Sequence, residues 1–398
     1  MAIASSYEYK VTCRFICKGK SEEILPEGIT NIIINCDYDN KILPTVYMGV
    51  RLESILYDKM VENQETARVV LTVSRSNKSR GLSFFQNYIN DEFVYSMTTD
   101  PNYYKDLDEK ANTSDQIGRN YKEGYMALMQ LNNIDNNKNF ANCIFKNTNI
   151  ASVIHSYTSH MKIVMEPIHN DKTFKHLIVP PLESVSKLLK YLNHESVFYR
   201  GGYRYFIDFD RAYLLSEEGN YVNDGTGQYK SVIINIEEPT NEISQQTGII
   251  TDSSSRAYIL NVTALDTQMD VKKSEDKIFN KIIGVDSEGN KRELLLDIPR
   301  TSNSSDKPRL EMVPLDNLDY ANYLKSNIEN SSVFLNITKT EVDASLITPN
   351  KVYTVNNYKD FAKYNGRFIL SSKKEILMNQ NGVFIGSILF SLRKLNNK

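Results

Sequence analysis

The sequence lacks tryptophan, has only four cysteines among 398 residues, and carries almost no net charge. The cysteines, at positions 13, 17, 36 and 143, are too few and too scattered for a disulfide framework in a chain of this length. In a strand, Cys13 and Cys17 would share one face about 13 Å apart, which excludes a zinc knuckle in CRFIC. We therefore expect reduced, partly buried thiols.

Charge and hydropathy exclude several classes of partner. Lys and Arg number 47 against 49 Asp and Glu, so the net charge of −2 gives no electrostatic reason to wrap nucleic acid or dock on anionic lipid. The longest apolar run, residues 383–392, is interrupted by Gly386 and Ser387 and is too short to span a bilayer. The N-terminal MAIASSYEYKVTCRF has no apolar segment of the length that a secretory signal needs. We expect a globular chain, made in the cytoplasm, with no membrane partner.

The composition is that of a protein with substantial cores. At 398 residues and 41% hydrophobic content, the chain is long enough for two or three domains. Its 25 tyrosines suit strands and protein interfaces, because a large apolar ring ends in a polar hydroxyl. Compositional drift in a genome that favours Ile, Asn, Lys and Tyr codons is the simpler explanation of this abundance.

The first eighty residues show the alternating pattern of half-buried strands. In YKVTCRFICKG the apolar positions alternate with polar ones. Further strands are predicted at 29–36, 42–50 and 67–74, with a helical turn near 52–60. The pattern predicts a small antiparallel β domain over residues 1–95.

The middle of the chain predicts an α/β insertion over residues 96–215. Residues 117–131 fit a helix with Tyr121, Tyr125, Leu128 and Met129 on one side, and the following NNIDNNKNF fits a loop. Pro180-Pro181 then start an amphipathic helix at 182–193. Two strand-like runs, 196–200 and 203–209, flank Gly201-Gly202, a dipeptide that supplies the positive φ angles of a two-residue turn. A β-hairpin over 196–210 is therefore predicted after the helix.

The last part of the chain predicts a second β domain over residues 216–398. Strands return at YKSVIINIE and SRAYILNVTAL, and closing strands are predicted at 332–339, 351–355, 367–371 and 382–393, the first of them after a short helix at 317–329. Between them, residues 266–317 form a long polar insertion broken by Pro299, Pro308 and Pro314, which is typical of loops. The fold class predicted is mixed α+β, mainly β.

Asp208 and Asp210 are the strongest candidates for acid/base chemistry. In a strand they share the face of Arg204 and Phe206, while Tyr203, Tyr205, Ile207 and Phe209 take the other face. The aromatic face is predicted to pack, and the Asp face to be solvated or at an interface. The Cα atoms of the two aspartates would be about 6.6 Å apart, a separation suited to a glycosidase pair, but no third group is implied.

Other motifs fail on spacing. The five histidines, between His155 and His194, lack metal-binding spacing, and DNNKNF, from Asp135, lacks the Gly and Glu of a calcium loop. GTGQYK at Gly225 is neither a phosphate loop nor a dinucleotide loop, and no Gly-x-Ser-x-Gly motif is present. We expect no catalytic, cofactor or metal site, which favours a binding or structural role.

Two segments carry a family resemblance. PPLESVSKLLKYLNHESVFYRGGYRYFIDFDRAYLL, a helix and then a hairpin ending in Phe-Asp-Phe-Asp, resembles the middle of baseplate hub proteins from contractile-tailed phages and related injection particles. In DYANYLKSNIENSSVFLNITKTEVDASLITPNKVYTV, Leu346 to Asn350 stand where hub proteins often carry Leu-x-Pro-Gly. Asn350 replaces the glycine, and asparagine also tolerates the left-handed conformation. The insertions at 81–150 and 266–317 depart from the family pattern, so no role is assigned to them.

The resemblance implies a mechanical function. A hub has two tube-like antiparallel β-barrel domains per subunit, so a homotrimer presents six similar positions to the hexameric tail tube and a threefold base to the central spike. Implied partners are the tail tube protein, the spike protein, other baseplate proteins, and tape-measure protein or DNA in the lumen. The implied location is the tail baseplate of the virion, assembled in the cytoplasm of the host bacterium, with no enzymatic activity and no cofactor.

Three alternatives stay open. Another tail component, such as a tube initiator or adaptor, would have similar β domains and a different subunit count. A tail-associated cell-wall glycosidase would use Asp208, Asp210 or Glu195. A carbohydrate-binding surface would be built on exposed tyrosines.

Overall fold

The structure is a computed structural model. It describes residues 7–77, 86–98, 121–199, 202–209, 211–225, 229–237, 249–251, 256–270, 278–279, 281–285, 291–295, 304–305, 309–314, 333–340, 342, 344–357 and 365–395. Within these ranges the chain is mostly β with few helices, which confirms the predicted mixed α+β, mainly β class.

The strands of the described ranges occur in three groups along the chain. The first group is β1 Tyr7–Cys17, β2 Lys20–Ile24, β3 Ile29–Asp37, β4 Thr45–Glu53, β5 Arg68–Asn77, β6 Gln86–Thr98 and β7 Tyr121–Gln130. The middle group is β8 Lys138–Asn149, β9 Ile163–Met165, β10 Thr173–Ser184, β11 Tyr203–Asp208 and β12 Arg211–Ser216. The last group is β13 Ser231–Glu237, β14 Ile249–Thr251, β15 Arg256–Thr263, β16 Thr267–Asp270, β17 Ile278–Phe279, β18 Lys281–Val285, β19 Lys291–Leu295, β20 Ser304–Ser305, β21 Arg309–Pro314, β22 Phe334–Lys339, β23 Val352–Asn357, β24 Gly366–Gln380 and β25 Val383–Lys394.

The helices of the described residues are short. They are α1 Ser54–Glu62, α2 Leu131–Asn137, α3 Ile150–Thr158 and α4 Val185–Ser196, with 3₁₀ turns at Pro26–Gly28, Ala264–Asp266 and Ala344–Leu346. In the part of the chain that the structure describes, no helix has the length and apolar character needed to cross a membrane.

One 15-stranded sheet joins the two ends of the chain. Its neighbours run β24, β3, β4, β7, β6, β5, β1 and β25, and because β25 also pairs with β24, these pairings return to their starting point. Alternate side chains of these strands, such as Val11, Cys13 and Phe15 on β1, enter a common hydrophobic core. The predicted β regions at both ends of the chain therefore share one sheet.

The same sheet extends beyond β24 and β25 in two arms. Strands β23, β13, β15 and β14 continue from β24, and β22 and β16 continue from β25. Strand β13 is parallel to both β15 and β23, so the expectation of a purely antiparallel second β region is wrong. The reason lies in connectivity, because the alternating pattern of a strand fixes which residues are buried and not the direction of its neighbours.

A separate hydrophobic core lies in the middle of the chain. The β8–β10 ribbon, the three-stranded sheet ordered β11, β12, β9, and helices α3 and α4 surround buried residues from Ala141 to Leu214. This core is the structural basis for an α/β region between the two β regions. The division at 1–95, 96–215 and 216–398 stays a prediction.

The predicted helix over 117–131 and the loop after it are wrong. Tyr121–Gln130 is strand β7, which pairs with β4 and β6 and buries every second residue, including Met126 and Leu128. Pairing on both sides outweighs the local helical spacing. The Asn-rich NNIDNNKNF forms helix α2 and the start of β8.

The helix predicted at 182–193 and the hairpin predicted at 196–210 are both displaced along the sequence. Helix α4 begins at Val185 because the side chain of Ser184 accepts a hydrogen bond from Lys187 N, whereas Pro180 and Pro181 lie in β10. The hairpin is β11–β12, paired from Tyr203↔Ser216 to Asp208↔Arg211. Phe209, in the turn of this hairpin, has a φ of 50°. Val197, with a φ of 44°, ends α4 where a strand was predicted.

The strands β13, β15, β22, β23, β24 and β25 confirm the predicted strands of the last part of the chain, although β24 is much longer than the predicted 367–371. Asn350 is not among the described residues with positive φ, so the expected left-handed turn is wrong. Instead its side chain donates to Val222 O at 2.9 Å and accepts from Thr348 Oγ1 at 2.6 Å. The predicted helix at 317–329 lies outside the described residues.

Candidate functional site

The candidate site is a layer of polar side chains between the β11–β12 hairpin and the large sheet, which we call the polar junction. The hairpin side contributes Arg204, Asp208 and Glu217, and the sheet side contributes Cys36, Tyr38, Asp39, Ser371, Lys373, Glu375 and Arg393. One backbone hydrogen bond, from Ile207 N to Ile42 O at 2.7 Å, joins the hairpin to the segment that follows β3. Another, from Tyr38 N to Ser371 O at 2.9 Å, lies within the sheet side.

Asp208 lies at the end of β11 and faces the sheet. Its Oδ2 accepts a hydrogen bond from Tyr38 Oη at 3.2 Å, and its Oδ1 lies 3.8 Å from the Cys36 thiol, which donates to it. Burial, and then the charge of Asp208, raise the pKa of Cys36 and of Tyr38 well above their ordinary values. Both groups therefore stay protonated and act as donors to the carboxylate.

Lys373 supplies a positive charge close to this carboxylate. Burial opposes the charged amine, but Glu375 and then Asp208 raise the pKa of Lys373 above its ordinary value. Its Nζ lies 3.0 Å from Glu375 Oε1, and the two side chains are only 10% and 4% exposed. The pair is thus a buried ion pair on the inward face of β24.

Two arginines join the hairpin to the sheet. Arg204 Nη1 donates to Leu370 O at 2.7 Å and lies 3.8 Å from Asp39 Oδ1. Arg393 Nε lies 3.2 Å from Asp39 Oδ2, and its Nη2 contacts Glu217, the residue after β12. Burial opposes the charge of Arg393, yet Glu217 and Asp39 raise its pKa. Asp39 also accepts from Ser371 Oγ. Each charge of this group therefore has an opposite charge or a hydrogen-bond partner.

The chemistry of the polar junction is that of attachment. Its carboxylates accept hydrogen bonds or face cations, whereas a glycosidase acid or nucleophile must reach a sugar. Buried charges paired in this way are costly to break one at a time, because the remaining partner is left uncompensated. The junction therefore fixes the orientation of the middle region on the sheet.

The sequence candidates have different outcomes. Of the two predicted faces of β11, the Asp face is an interface within the chain, with Arg204 buried and Asp208 half-buried. Asp210 lies outside the described residues, and Glu195 is exposed at the end of α4, with His194 Nδ1 3.6 Å from its Oε1. The structure does not bring Glu195 into the polar junction. Among the described residues, no group of three or more His, Cys, Asp or Glu side chains could hold a metal ion.

Most junction residues were missed by sequence reasoning. Lys373 and Glu375 alternate with Leu377 on the inward face of β24, so charged residues at buried positions of a strand were the available signal. The predicted strand ended at 371 and did not include them. All four cysteines are free, as expected. Cys143 is partly buried as predicted, whereas Cys13, Cys17 and Cys36 are fully buried.

Comparison with known proteins identifies what the chain is similar to. The family model described as bacteriophage PBS1 gene 109 protein matches residues 1–395. The tail protein from Neisseria meningitidis MC58 superposes with a TM-score of 0.53 and 12% identity, covering 97% of this chain and 96% of that one. The 43 kDa tail protein of prophage MuSo2 from Shewanella oneidensis gives a TM-score of 0.50 and 10% identity, covering 96% and 97%. No protein of curated function matches the sequence.

At these identities the two crystal structures establish a shared fold and no more. The fold is shared over nearly the whole of each chain, which includes both β regions and the middle region. Together with the family model, they confirm the resemblance to phage tail and baseplate proteins that was expected from the sequence.

Proposed function

Because the chain belongs to the bacteriophage PBS1 gene 109 protein family, a family of phage tail or baseplate structural proteins, we propose that it is the hub of a tail baseplate. In this proposal three copies form a ring that adapts the hexameric tail tube to a threefold central spike. Each copy contributes two tube-like β regions, so that three chains present six similar positions.

The observation that supports this function best is the 15-stranded sheet. Strands from residues 7–130 and from residues 231–394 pair within it, and the β24–β25 hairpin belongs to both parts. A continuous sheet holds the two β regions at a fixed spacing, which is what a ring of alternating, similar positions requires. The polar junction holds the middle region against the same sheet.

The proposed partners follow from this geometry. They are the tail tube protein on one side of the ring, the spike protein on the other, neighbouring baseplate proteins, and tape-measure protein or DNA in the lumen. Membership of the family implies a location in the virion. We propose that the chain lies in the tail baseplate and that the baseplate is assembled in the cytoplasm of the host bacterium. The function needs no catalytic residue and no cofactor.

Labelling of intact tails tests the proposal. An epitope placed after residue 395, the last described residue, should bring gold-labelled antibody to the tip of purified tails, at up to three copies per tail. Label along the whole tube, or at the head-proximal end, would contradict the hub assignment and favour another tail component. Six copies at the tip would favour a tube initiator or adaptor.

A further inference from the structure

An open strand edge lies in the middle region, away from the polar junction. Strand β9 has only three residues, Ile163–Met165, and pairs with β12 on one side. Among the described residues, no strand pairs with its other side. Unpaired strand edges are sites at which another chain can add a strand, and proteins normally cover them.

The hydrogen bonds of β9 define which groups face the open side. Ala212 N donates to Lys162 O at 2.8 Å, and Glu166 N donates to Leu214 O at 3.0 Å. In a parallel pair the bonded residues alternate with residues whose N–H and C=O point the other way. The main-chain groups of residues 162, 164 and 166 therefore face β12, and those of Ile163 and Met165 point to the open edge.

Two other strands of this region form main-chain hydrogen bonds with groups outside their own sheets. On β11, Ile207 N donates to Ile42 O at 2.7 Å, and on β10, Ile178 O accepts from Tyr191 Oη at 2.6 Å. Residues of β9 also line a cleft of about 410 Å³. Its walls are residues 162–165, Arg211, Asn223 and Asp224. The volume is within the range of pockets that bind ligands.

The edge is held rigidly before any partner binds. Glu166, directly after β9, is 4% exposed, and its carboxylate accepts from Ser216 N and Asn220 Nδ2, each at 2.8 Å. In the same cleft, Arg211 Nη1 donates to Asp224 O at 2.9 Å. A fixed edge lowers the entropy cost of adding a strand.

We propose that the open edge of β9 binds an extended segment of another tail protein, which adds to it as a strand. The inference rests on the proposed function, since the partner is a component of the same tail. Alternating main-chain donors and acceptors on Ile163 and Met165 complement only an extended backbone, about three residues or 10 Å long. The segment must offer free N–H groups, so it lacks proline at the paired positions.

Single-residue hydrogen exchange tests the strand addition, by comparing the purified chain alone with the chain in purified tails. The amides of Ile163 and Met165 should exchange at least tenfold more slowly in tails. The amide of Glu166 is the internal control, because it already bonds to Leu214 O and should be slow in both samples. If tails contain the chain and the exchange rates of Ile163 and Met165 are unchanged, the strand addition is overturned, whereas the proposed hub function is not affected.

Two further outcomes are also decisive. Protection of both amides in the purified chain alone would identify the occupant as this chain or a second copy, which contradicts a partner strand. Absence of the chain from tails would overturn the proposed function and this inference together.

A proline variant gives an independent test. Ile163→Pro removes an N–H that β12 does not use, so the purified chain should fold normally while its incorporation into tails falls about tenfold, as expected for the loss of one hydrogen bond. Ile163→Val keeps the N–H and is the matched control. Equal incorporation of both variants would contradict the proposal, and the exchange measurement decides the matter if the proline variant fails to fold.

Discussion

Asp208 is the residue at which the structural and enzymatic accounts differ most. The structural account predicts that Asp208→Asn lowers the free energy of unfolding by about 1–3 kcal/mol, because Tyr38 and Cys36 lose a charged acceptor and Lys373 loses a nearby negative charge. Denaturant unfolding measures this change. Glu195→Gln is the control, and since Glu195 is exposed its effect should stay within about 0.5 kcal/mol. Unaltered stability of Asp208→Asn together with the loss of a lytic activity on cell wall would support the glycosidase.

Arg393 provides a test of the polar junction itself. Arg393→Met leaves Asp39 and Glu217 without their shared cation, so we expect a loss of about 3–5 kcal/mol in unfolding experiments. Adding Glu217→Gln to this variant should recover about 1 kcal/mol or more. Arg51→Met is the matched control, because Arg51 lies 3.8 Å from Glu123 and the two side chains are 41% and 62% exposed. That surface pair should contribute less than about 1 kcal/mol, and equal losses for Arg393 and Arg51 would rule out a junction of buried charges.

The buried thiol of Cys13 makes the free energy of unfolding depend on pH. Burial raises the pKa of this thiol from 9.0 to about 12. Below pH 9 the thiol is protonated in both the folded and the unfolded state. Above pH 9 the thiol ionises first in the unfolded state, so the contribution of Cys13 to the free energy of unfolding is lost as pH rises from about 9 towards 12. The loss reaches about 1.4 kcal/mol per pH unit. Unfolding midpoints of the wild type and Cys13→Ala across this range should converge with rising pH, and parallel curves would contradict the assignment.

At the scale of single residues, the sequence predicted the buried positions better than the buried charges. Val11, Cys13 and Phe15 lie on the inward face of β1 as their alternation predicts. The partners of Asp208 could not be predicted, because Cys36 and Tyr38 are 172 and 170 positions away from it and Lys373 lies on a strand near the other end of the chain. Such a site can be predicted only when the strand topology is known.

Among the elements, the β24–β25 hairpin is the one on which the closed pairing of the sheet depends. Its two-residue turn joins Gln380 to Val383 and has φ angles of 55° at Asn381 and 86° at Gly382. A Cβ at position 382 would meet only Glu27 Oε1, at 3.7 Å, so the cost of adding one is conformational. We predict that Gly382→Ala lowers the unfolding free energy by about 1–2 kcal/mol.

The neighbouring turn position supplies the control for this variant. Asn381→Gly places a glycine at a positive φ and should change stability by less than about 0.5 kcal/mol. If Gly382→Ala were as stable as Asn381→Gly, the left-handed turn would be wrong. Thermal or denaturant unfolding of both variants in parallel measures the difference.

Elements with strong local signals were predicted, and elements decided by distant pairing were not. Helix α4 exists as its leucine spacing predicts, but the side chain of Ser184 sets its start, so the preceding prolines belong to a strand. Gly201-Gly202 suggested the wrong turn, because a positive φ at Phe209 reverses the chain instead. Strand β7 has helical spacing on one side and still forms a strand, since β4 and β6 pair with both of its edges.

For the whole molecule, the sequence predicted the class and the family resemblance but not the connection between the two β regions. Pairing of β24 with β3, and of β25 with β1, links residues that lie more than 300 positions apart. No local pattern encodes such a pairing. The contacts do fit the proposed hub, because one continuous sheet gives each subunit two β regions in a fixed relation.

The absolute mass of the purified chain, by light scattering after size exclusion, tests the central claim most directly when the same peak is imaged by electron microscopy. For a chain of 45.7 kDa the hub account predicts three times the monomer mass and class averages showing a threefold ring with a central opening. A compact particle of monomer mass that stays monomeric when mixed with purified tail tube and spike proteins would contradict it.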